Sequence, residues 1–387
     1  MLGGKIVAYF DNAATTYPKP DVVYSFMDEF YRKIGANAGR GNYGLAQSAK
    51  QMIDETRSLI KDLLHCPSKQ VIFMPTATLA LNIILQGLIK AGAKKVYISP
   101  FEHNAVTRVL HSFEKEGQIQ TYELNVSSYM KYDLERIRYQ FDENKPDLIV
   151  VSHASNVFGL VAPINEIFSL AKKYGAYTVA DMSQTAGLVD CNVGLSIFDF
   201  AVFAGHKTLY GPTGISGFVM NPEIKLPSVL YGGTGVESAS QDMPDGLPER
   251  FEMGTLNISG VAGLNAALKW NKEIGIETIA KRENVNREKL LHILSTYNWM
   301  KIIGNIQGNQ YVGIVSGLID GISSDSAGAL FSEKGIAVRT GLQCAPIAHK
   351  FMKTFPAGTI RFSVGYFTDD EDFEELRNAL DYIEDGQ

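Results

Sequence analysis

Cysteine is scarce in this sequence. The chain of 387 residues contains three cysteines, Cys66, Cys191 and Cys344. They are too few for a disulfide framework in a chain of this size, and their spacing matches no metal motif. Each cysteine is therefore expected to be either a small buried residue or a reactive thiol.

Long apolar runs and an excess of basic residues are also missing. No segment is long and apolar enough to cross a bilayer, and residues 1–7 lack the apolar core and cleavage site of a signal peptide. The 36 basic and 42 acidic residues give a formal net charge of -6, and no basic stripe favours nucleic acid. We therefore expect a cytoplasmic protein that binds neither membrane nor nucleic acid and whose partner is a small molecule.

The sequence has no internal repeat and no low-complexity linker. Between about residues 55 and 220, short β-rich runs alternate with helical patterns. This alternation predicts a mainly parallel sheet covered by helices, as in a doubly wound α/β domain. The predicted strands are residues 70–74, 95–99, 119–124, 147–152, 177–181, 198–204 and 215–220.

The pattern changes after the glycine-rich stretch 232–235. Long helical patterns cover about residues 260–295, and strands are predicted near 311–319, 336–339 and 359–364, with a helix among them and an acidic helix at the end. This order predicts a smaller α+β domain. We expect a large cofactor-binding α/β domain at residues 16–255, and a small domain formed by residues 1–15 and 256–387.

Lys207 follows the apolar run 198–204 and precedes the turn-rich stretch 210–214. Its amine is therefore expected at the end of a buried strand. Burial favours the neutral amine, which is nucleophilic and can bind pyridoxal phosphate as a Schiff base. A lysine at a strand end can also extend to solvent, so this residue alone leaves both interpretations open.

Asp181 ends the predicted strand 177–181, at the edge where open α/β sheets bind ligands. Its carboxylate can keep a pyridine nitrogen protonated. Gln184, three residues later, can donate to an oxygen on the same ring. The alternative role for Asp181 is the N-cap of a following helix.

Two predicted helix starts offer further ligand contacts. Ala77 and Thr78 follow the strand 70–74, and a helix that starts there presents free amides and a positive dipole end to a phosphate. Threonine also caps helices that bind no ligand. His103 begins another helix after a strand, where it can stack on a flat ring, move protons or be purely structural.

In these residues and in the stretches around them, the chain resembles the class V aminotransferase family of fold-type I pyridoxal-phosphate enzymes, and within it the cysteine desulfurases. The matching stretches follow the family's order and span nearly the whole chain. They are residues 9–16 (YFDNAATT), 102–106 (EHNAV), 152–159 (SHASNVFG), 180–184 (ADMSQ), 205–207 (GHK), 211–214 (GPTG), 251–255 (FEMGT), 339–345 (RTGLQCA) and 360–363 (IRFS).

The resemblance implies four contacts with the ring of pyridoxal 5'-phosphate, the expected cofactor. Lys207 would bind it covalently, and Asp181 would pair with the protonated ring nitrogen. His103 would stack on the ring, and Gln184 would contact the ring oxygen. Lys207 and His103 would also be catalytic, because an amine and an imidazole can move protons.

The resemblance also implies a phosphate site that is shared by two subunits. Its expected residues are Ala77, Thr78, His206 and, from the partner in a homodimer, Thr255. The chain departs from the family pattern where Ala204 replaces a serine before Gly-His-Lys, and where Ala77 replaces one of two threonines. Each lost hydroxyl is expected to weaken phosphate binding by about 0.5–1.5 kcal/mol, which a covalently held cofactor tolerates.

Arg361 resembles the residue that binds the substrate carboxylate, a task that suits a planar guanidinium. Asn156 would lie close to both the cofactor ring and the substrate, and Asn12 would also bind the substrate. The catalytic Cys344 would take up sulfur as a persulfide. The implied reaction converts L-cysteine to L-alanine and passes sulfur to an acceptor protein. A selenocysteine or cysteine-derivative lyase, another aminotransferase or epimerase of the family, and a non-catalytic scaffold are the alternatives.

Overall fold

The computed structural model describes residues 8–37, 41 and 43–385. Residues 1–7, on which the expected lack of a signal peptide depends, lie outside the described residues. The helices are α1 (Asp21–Ile34), α2 (Gly44–Leu63), α3 (Ala77–Lys90), α4 (Asn104–Lys115), α5 (Leu134–Glu143), α6 (Ile164–Lys173), α7 (Ile258–Ile274), α8 (Ile276–Ser295), α9 (Ser324–Glu333), α10 (Pro346–Phe351) and α11 (Asp370–Asp385). The strands are β1 (Ala8–Tyr9), β2 (Gln70–Met74), β3 (Lys95–Ile98), β4 (Gln120–Glu123), β5 (Leu148–Ser152), β6 (Tyr177–Asp181), β7 (Phe200–Ala204), β8 (Ser216–Met220), β9 (Met300–Ile303), β10 (Ile314–Ile319), β11 (Ile336–Ala337), β12 (Arg339–Gly341) and β13 (Thr359–Ser363).

A seven-stranded sheet forms the centre of the molecule, in the order β2-β8-β7-β6-β5-β3-β4. The strands are parallel except for β8, which runs antiparallel to β2 and β7. All seven strands expected between residues 70 and 220 are present, so the prediction of a mainly parallel sheet is confirmed. The edge at which β5, β6 and β7 end is therefore shared by residues that are far apart in sequence.

Helices cover both faces of this sheet. In β5, Ile149 and Val151 pack with the layer of α1, α2, α5, α6 and α7, whereas Leu148 and Val150 pack with α3 and α4. Side chains of a strand alternate between its two faces, so a strand covered on both faces is expected to be mostly apolar. β5 and β7 are buried throughout, which explains why they are apolar except for Ser152 at the end of β5.

A second, antiparallel sheet has the order β12-β13-β10-β9 and packs against α8, α9 and α11. The single strand expected at residues 336–339 is wrong. Residues 336–337 pair with β1 as β11, and residues 339–341 pair with β13 as β12. The long helices expected at about 260–295 are present as α7 and α8, which are divided at Gly275, where φ is 86°.

The division into domains at residues 255 and 256 stays a prediction. In the part of the chain that the structure describes, no helix has both the length and the apolar character needed to span a membrane.

Candidate active site

A cavity of about 190 Å³ lies at the carboxyl edge of the central sheet. Its walls come from the ends of β5, β6 and β7 and from the starts of α3 and α4. Eight residues that were predicted from the sequence line it: Ala77, Thr78, His103, Asn156, Asp181, Gln184, His206 and Lys207. They meet because parallel strands end on one side of the sheet. Their roles remain predictions.

Lys207 lies three residues beyond the end of β7 and lines the cavity. Burial is the main cause that lowers the pKa of its ammonium group to about 8; within this net shift the charge of Asp181 acts against burial and the charge of Arg361 acts with it. A lysine that extended into solvent would keep its ordinary pKa. The amine is therefore available as a nucleophile near neutral pH.

Asp181 is the last residue of β6 and is buried. Its Oδ1 accepts a hydrogen bond from the Ser183 N–H at 2.9 Å. Turns rather than a helix follow it, so the helix N-cap alternative is wrong and the carboxylate caps a turn. The buried Gln184 donates through Nε2 to the Ala13 carbonyl at 3.0 Å, which leaves its second amide hydrogen for a ligand.

His103 is the N-cap of α4, and its Nδ1 accepts a hydrogen bond from the Ala105 N–H at 3.0 Å. The proton of the neutral ring is therefore on Nε2. Burial and the positive charge of Lys207 lower the pKa of His103, while Asp181 raises it. The ring is thus held in a fixed orientation, with a single N–H available to a ligand.

The buried carboxyl of Glu102, directly before His103, was not predicted as a site residue. It accepts hydrogen bonds from Ser99 Oγ at 2.6 Å, from the Ser152 N–H at 2.6 Å and from Ser152 Oγ at 2.8 Å. Burial raises the pKa of Glu102 to about 7. The one feature of the sequence that could have identified Glu102 as a site residue is its place in the matching stretch 102–106. The contacts tie the start of α4 to the end of β5.

The other end of the cavity offers unpaired hydrogen-bonding groups. Thr76 caps α3, and its hydroxyl accepts from the Leu79 N–H at 3.1 Å. Ala77 and Thr78 are the first residues of α3, where backbone N–H groups have no partner within the helix. Among the described residues, the buried Nδ1 of His206 has no hydrogen-bond partner, and burial lowers its pKa to about 4. This end is therefore suited to an anion.

Arg361 lies in β13 and is 3 % exposed. Its Nη2 forms an ion pair with Asp11 Oδ1 at 2.7 Å, and its Nη1 donates to the Asn156 carbonyl at 2.9 Å. Within the described chain its buried Nε has no partner. Asp11, which was not predicted, lies in the matching stretch 9–16. A carboxylate is thus already bound to the guanidinium that was predicted to bind one.

Asn12 and Thr255 lie apart from this cavity. The Asn12 Nδ2 donates to the Ser363 carbonyl at 3.0 Å and its Oδ1 accepts from the Tyr17 N–H at 3.3 Å, so the buried amide is occupied by backbone. Thr255 is exposed and lines a separate cavity of about 360 Å³. An exposed position is compatible with its expected contact across a dimer interface.

The three cysteines differ in their exposure to solvent. Cys66 and Cys191 are buried, and burial raises the pKa of their thiols to about 11 and about 12. Cys344 is exposed, which excludes the buried apolar alternative for this residue. Its carbonyl accepts a hydrogen bond from the N–H of Asn104, the residue after His103, at 2.7 Å. A negative charge on Cys344 would raise the pKa of Lys207. The one exposed cysteine therefore lies beside the cavity.

Known proteins resemble the chain over nearly its whole length. It is 30% identical to a probable cysteine desulfurase of Pyrococcus abyssi, covering 97% of this chain and 94% of that protein. It is 31% identical to a probable cysteine desulfurase of Xylella fastidiosa, with coverages of 97% and 91%. The apo structure of a cysteine desulfurase from Thermococcus onnurineus NA1 superposes with a TM-score of 0.90 at 28% identity, covering 98% of this chain and 95% of that chain.

The fold agrees with this likeness, and the prediction of fold type I with a mainly parallel sheet is confirmed. Residues 8–376 match the family described as Aminotransferase class-V. The chain therefore belongs to the class V aminotransferase family.

Proposed function

We propose that this chain is a pyridoxal-phosphate-dependent cysteine desulfurase that converts L-cysteine to L-alanine and takes the sulfur onto Cys344. The observation that carries the proposal is one exposed thiol beside a cavity that contains a lysine of lowered pKa. The relatives described above, which match nearly the whole chain, are named cysteine desulfurases or probable cysteine desulfurases. A lyase or an aminotransferase would not require the thiol.

The residues of the cavity fit pyridoxal 5'-phosphate. Lys207 would bind it covalently, Asp181 and Gln184 would contact the ring, and His103 would stack on it. The unpaired Nδ1 of His206 and the free amides of α3 would hold its phosphate. Thr255 of a second subunit would complete the phosphate site in a homodimer. When bound, the cofactor supplies a carbonyl carbon that reacts with amines and a ring that takes up electrons.

Lys207 and His103 would move the protons of the reaction. Because the pKa of Lys207 is about 8, roughly a tenth of its amine is neutral at pH 7, and this neutral form can accept the proton from the substrate α-carbon. The ring of His103 is neutral and carries its proton on Nε2, the nitrogen that is free of the backbone contact. Its Nε2–H would donate a hydrogen bond within the cavity, and the ring would deliver a proton from its protonated form.

Arg361 would bind the substrate carboxylate. Its ion pair with Asp11 holds the guanidinium in place, and its unpaired Nε leaves hydrogen-bonding capacity for a second carboxylate. Asn156, which contacts Arg361 through its carbonyl, would lie beside the bound amino acid. Asn12 would support this region through its contact with Ser363.

Cys344 would accept the sulfur. The Cβ–S bond of cysteine breaks, a new S–S bond forms at Cys344 Sγ, and the carbon that loses sulfur gains a proton. The electron pair of the broken Cβ–S bond stays on Cβ, which is why this carbon takes up the proton. The reaction therefore balances as L-cysteine and the Cys344 thiol giving L-alanine and the Cys344 persulfide. Because Cys344 is exposed, an acceptor protein could then collect the sulfur from it.

The decisive experiment compares Cys344→Ser with Cys191→Ala in the purified holoenzyme. With L-cysteine, Cys344→Ser should keep the visible spectrum of the bound cofactor and lose both the persulfide and most alanine production. Cys191 is buried, and its variant should retain both products. Alanine formed at the wild-type rate by Cys344→Ser would contradict the proposal and favour a lyase or a transferase.

A further inference from the structure

The turn that carries Cys344 has an unusual backbone. Gln343 and Cys344 are consecutive non-glycine residues with φ of 40° and 58°. A side chain disfavours this left-handed region, so two such residues in series need contacts that hold them there. The short turn connects β12 to α10 directly.

The side chain of Gln343 supplies these contacts. It is 6 % exposed, and its Nε2 donates to the Thr359 carbonyl at 2.9 Å. Its Oε1 therefore faces His349, whose Nε2 lies 2.9 Å away and must carry the proton. His349 is fully buried, its Nδ1 lies 2.7 Å from the Thr354 hydroxyl, and burial lowers its pKa to about 4. The His349 ring is thus a neutral, fixed donor to Gln343.

The backbone of the same turn is bonded to both walls of the cavity. The Gln343 carbonyl accepts from Asn156 Nδ2 at 2.6 Å, and Asn156 in turn accepts from Arg361. The Cys344 carbonyl accepts from the N–H of Asn104 at 2.7 Å, at the start of α4. A displacement of Gln343 would therefore move the thiol relative to the cavity.

We propose that Gln343, held by His349, is a positioning residue for sulfur transfer, which keeps the Cys344 thiol where it meets the sulfur of the bound substrate. This inference rests on the proposed function. In the described part of the chain, the residues that line the cavity beside Lys207 include neither Gln343 nor His349. The pair would therefore act through Cys344. Reactions between two positioned groups are sensitive to displacements of about 1 Å, whereas no residue of this turn is among the described residues that line the cavity.

The experiment compares His349→Leu, which removes the donor, with His349→Gln, whose amide can restore an N–H near the place of Nε2. In His349→Leu, kcat for alanine and the rate of persulfide formation on Cys344 should fall roughly tenfold or more. The cofactor spectrum should be unchanged, and the KM for L-cysteine should change much less than kcat. His349→Gln should recover most of the rate. Gln343→Met, which keeps the length of the side chain but removes its polar atoms, should show the same loss as His349→Leu and replaces it if that variant does not fold.

Wild-type kcat in Gln343→Met and in folded His349→Leu would overturn the inference and leave the proposed function intact. A loss of kcat with an equal loss of cofactor, or no recovery in His349→Gln, would also overturn it, because either result indicates a general structural role. If the wild-type protein itself forms no persulfide on Cys344, the proposed function fails, and the inference fails with it.

Discussion

At the scale of single residues, Lys207 is the side chain on which cofactor binding depends. We expect Lys207→Ala to lose covalent attachment, because this amine lines the cavity and has a pKa near 8. Borohydride treatment of the holoenzyme followed by peptide mass spectrometry should find the reduced adduct on Lys207. Lys19 is a matched control, since its pKa is also lowered by burial, to about 7, but it does not line the cavity. An adduct on Lys19 instead would refute the assignment.

The free energy of unfolding should depend on pH through the carboxyl group of a single residue, Glu102. Burial raises its pKa from 4.5 in the unfolded chain to about 7, so between these values the folded protein holds a proton that the unfolded chain has released. Its stabilising contribution is complete below about pH 4.5 and is lost as pH rises through about 7. The total loss is about 3 kcal/mol at most.

Glu102→Gln removes this titration and can keep hydrogen bonds to Ser152. The free energy of unfolding of the wild type, minus that of Glu102→Gln, should therefore decrease from pH 5 to pH 8. Groups that titrate equally in both proteins cancel in this difference. Urea unfolding at four pH values tests it, and a difference that stays constant or increases with pH would show that Glu102 is ionised in the folded protein.

At the scale of elements, the phosphate site depends on where β7 ends and α3 begins. Ala204, the last residue of β7, lines the cavity without a hydroxyl. Ala204→Ser should slow cofactor loss by about 2- to 13-fold, which corresponds to one neutral hydrogen bond of about 0.5–1.5 kcal/mol. The control is Ala204→Cys, because the cysteine side chain has nearly the same shape as serine but its thiol is only a weak hydrogen-bond donor. Equal rates in Ala204→Ser and the wild type would mean that another group already makes this contact.

At the scale of the whole molecule, we expect a homodimer in which Thr255 contacts the phosphate of the neighbouring subunit. Light scattering of the holoenzyme at micromolar concentration should give twice the mass of the chain. Thr255→Val should accelerate cofactor loss, whereas Thr278→Val, at another exposed threonine on α8, should not. A monomer mass with the cofactor fully bound would contradict this assembly.

Local sequence patterns were sufficient for the central sheet and for the positions of several candidate ligand-binding residues at the ends of its strands. Apolar runs of strand length predict β5 and β7, because strands covered on both faces are mostly apolar. The position of Asp181 after such a run places it at the ligand edge. The strand expected at 336–339 failed, because the choice of pairing partners divides that stretch between two sheets.

Contacts between distant parts of the chain decided the rest. The ion pair of Asp11 with Arg361 joins residues at opposite ends of the sequence, and no local pattern encodes it. The sequence limited each cysteine to two alternatives, but burial depends on which elements pack over a residue, so only the tertiary structure distinguishes the exposed Cys344 from the buried Cys66 and Cys191. The sequence by itself determined the strands of the central sheet and the chemical groups at their ends. The long-range packing decided which of those groups meet, because each such contact is made by segments that local propensity treats independently.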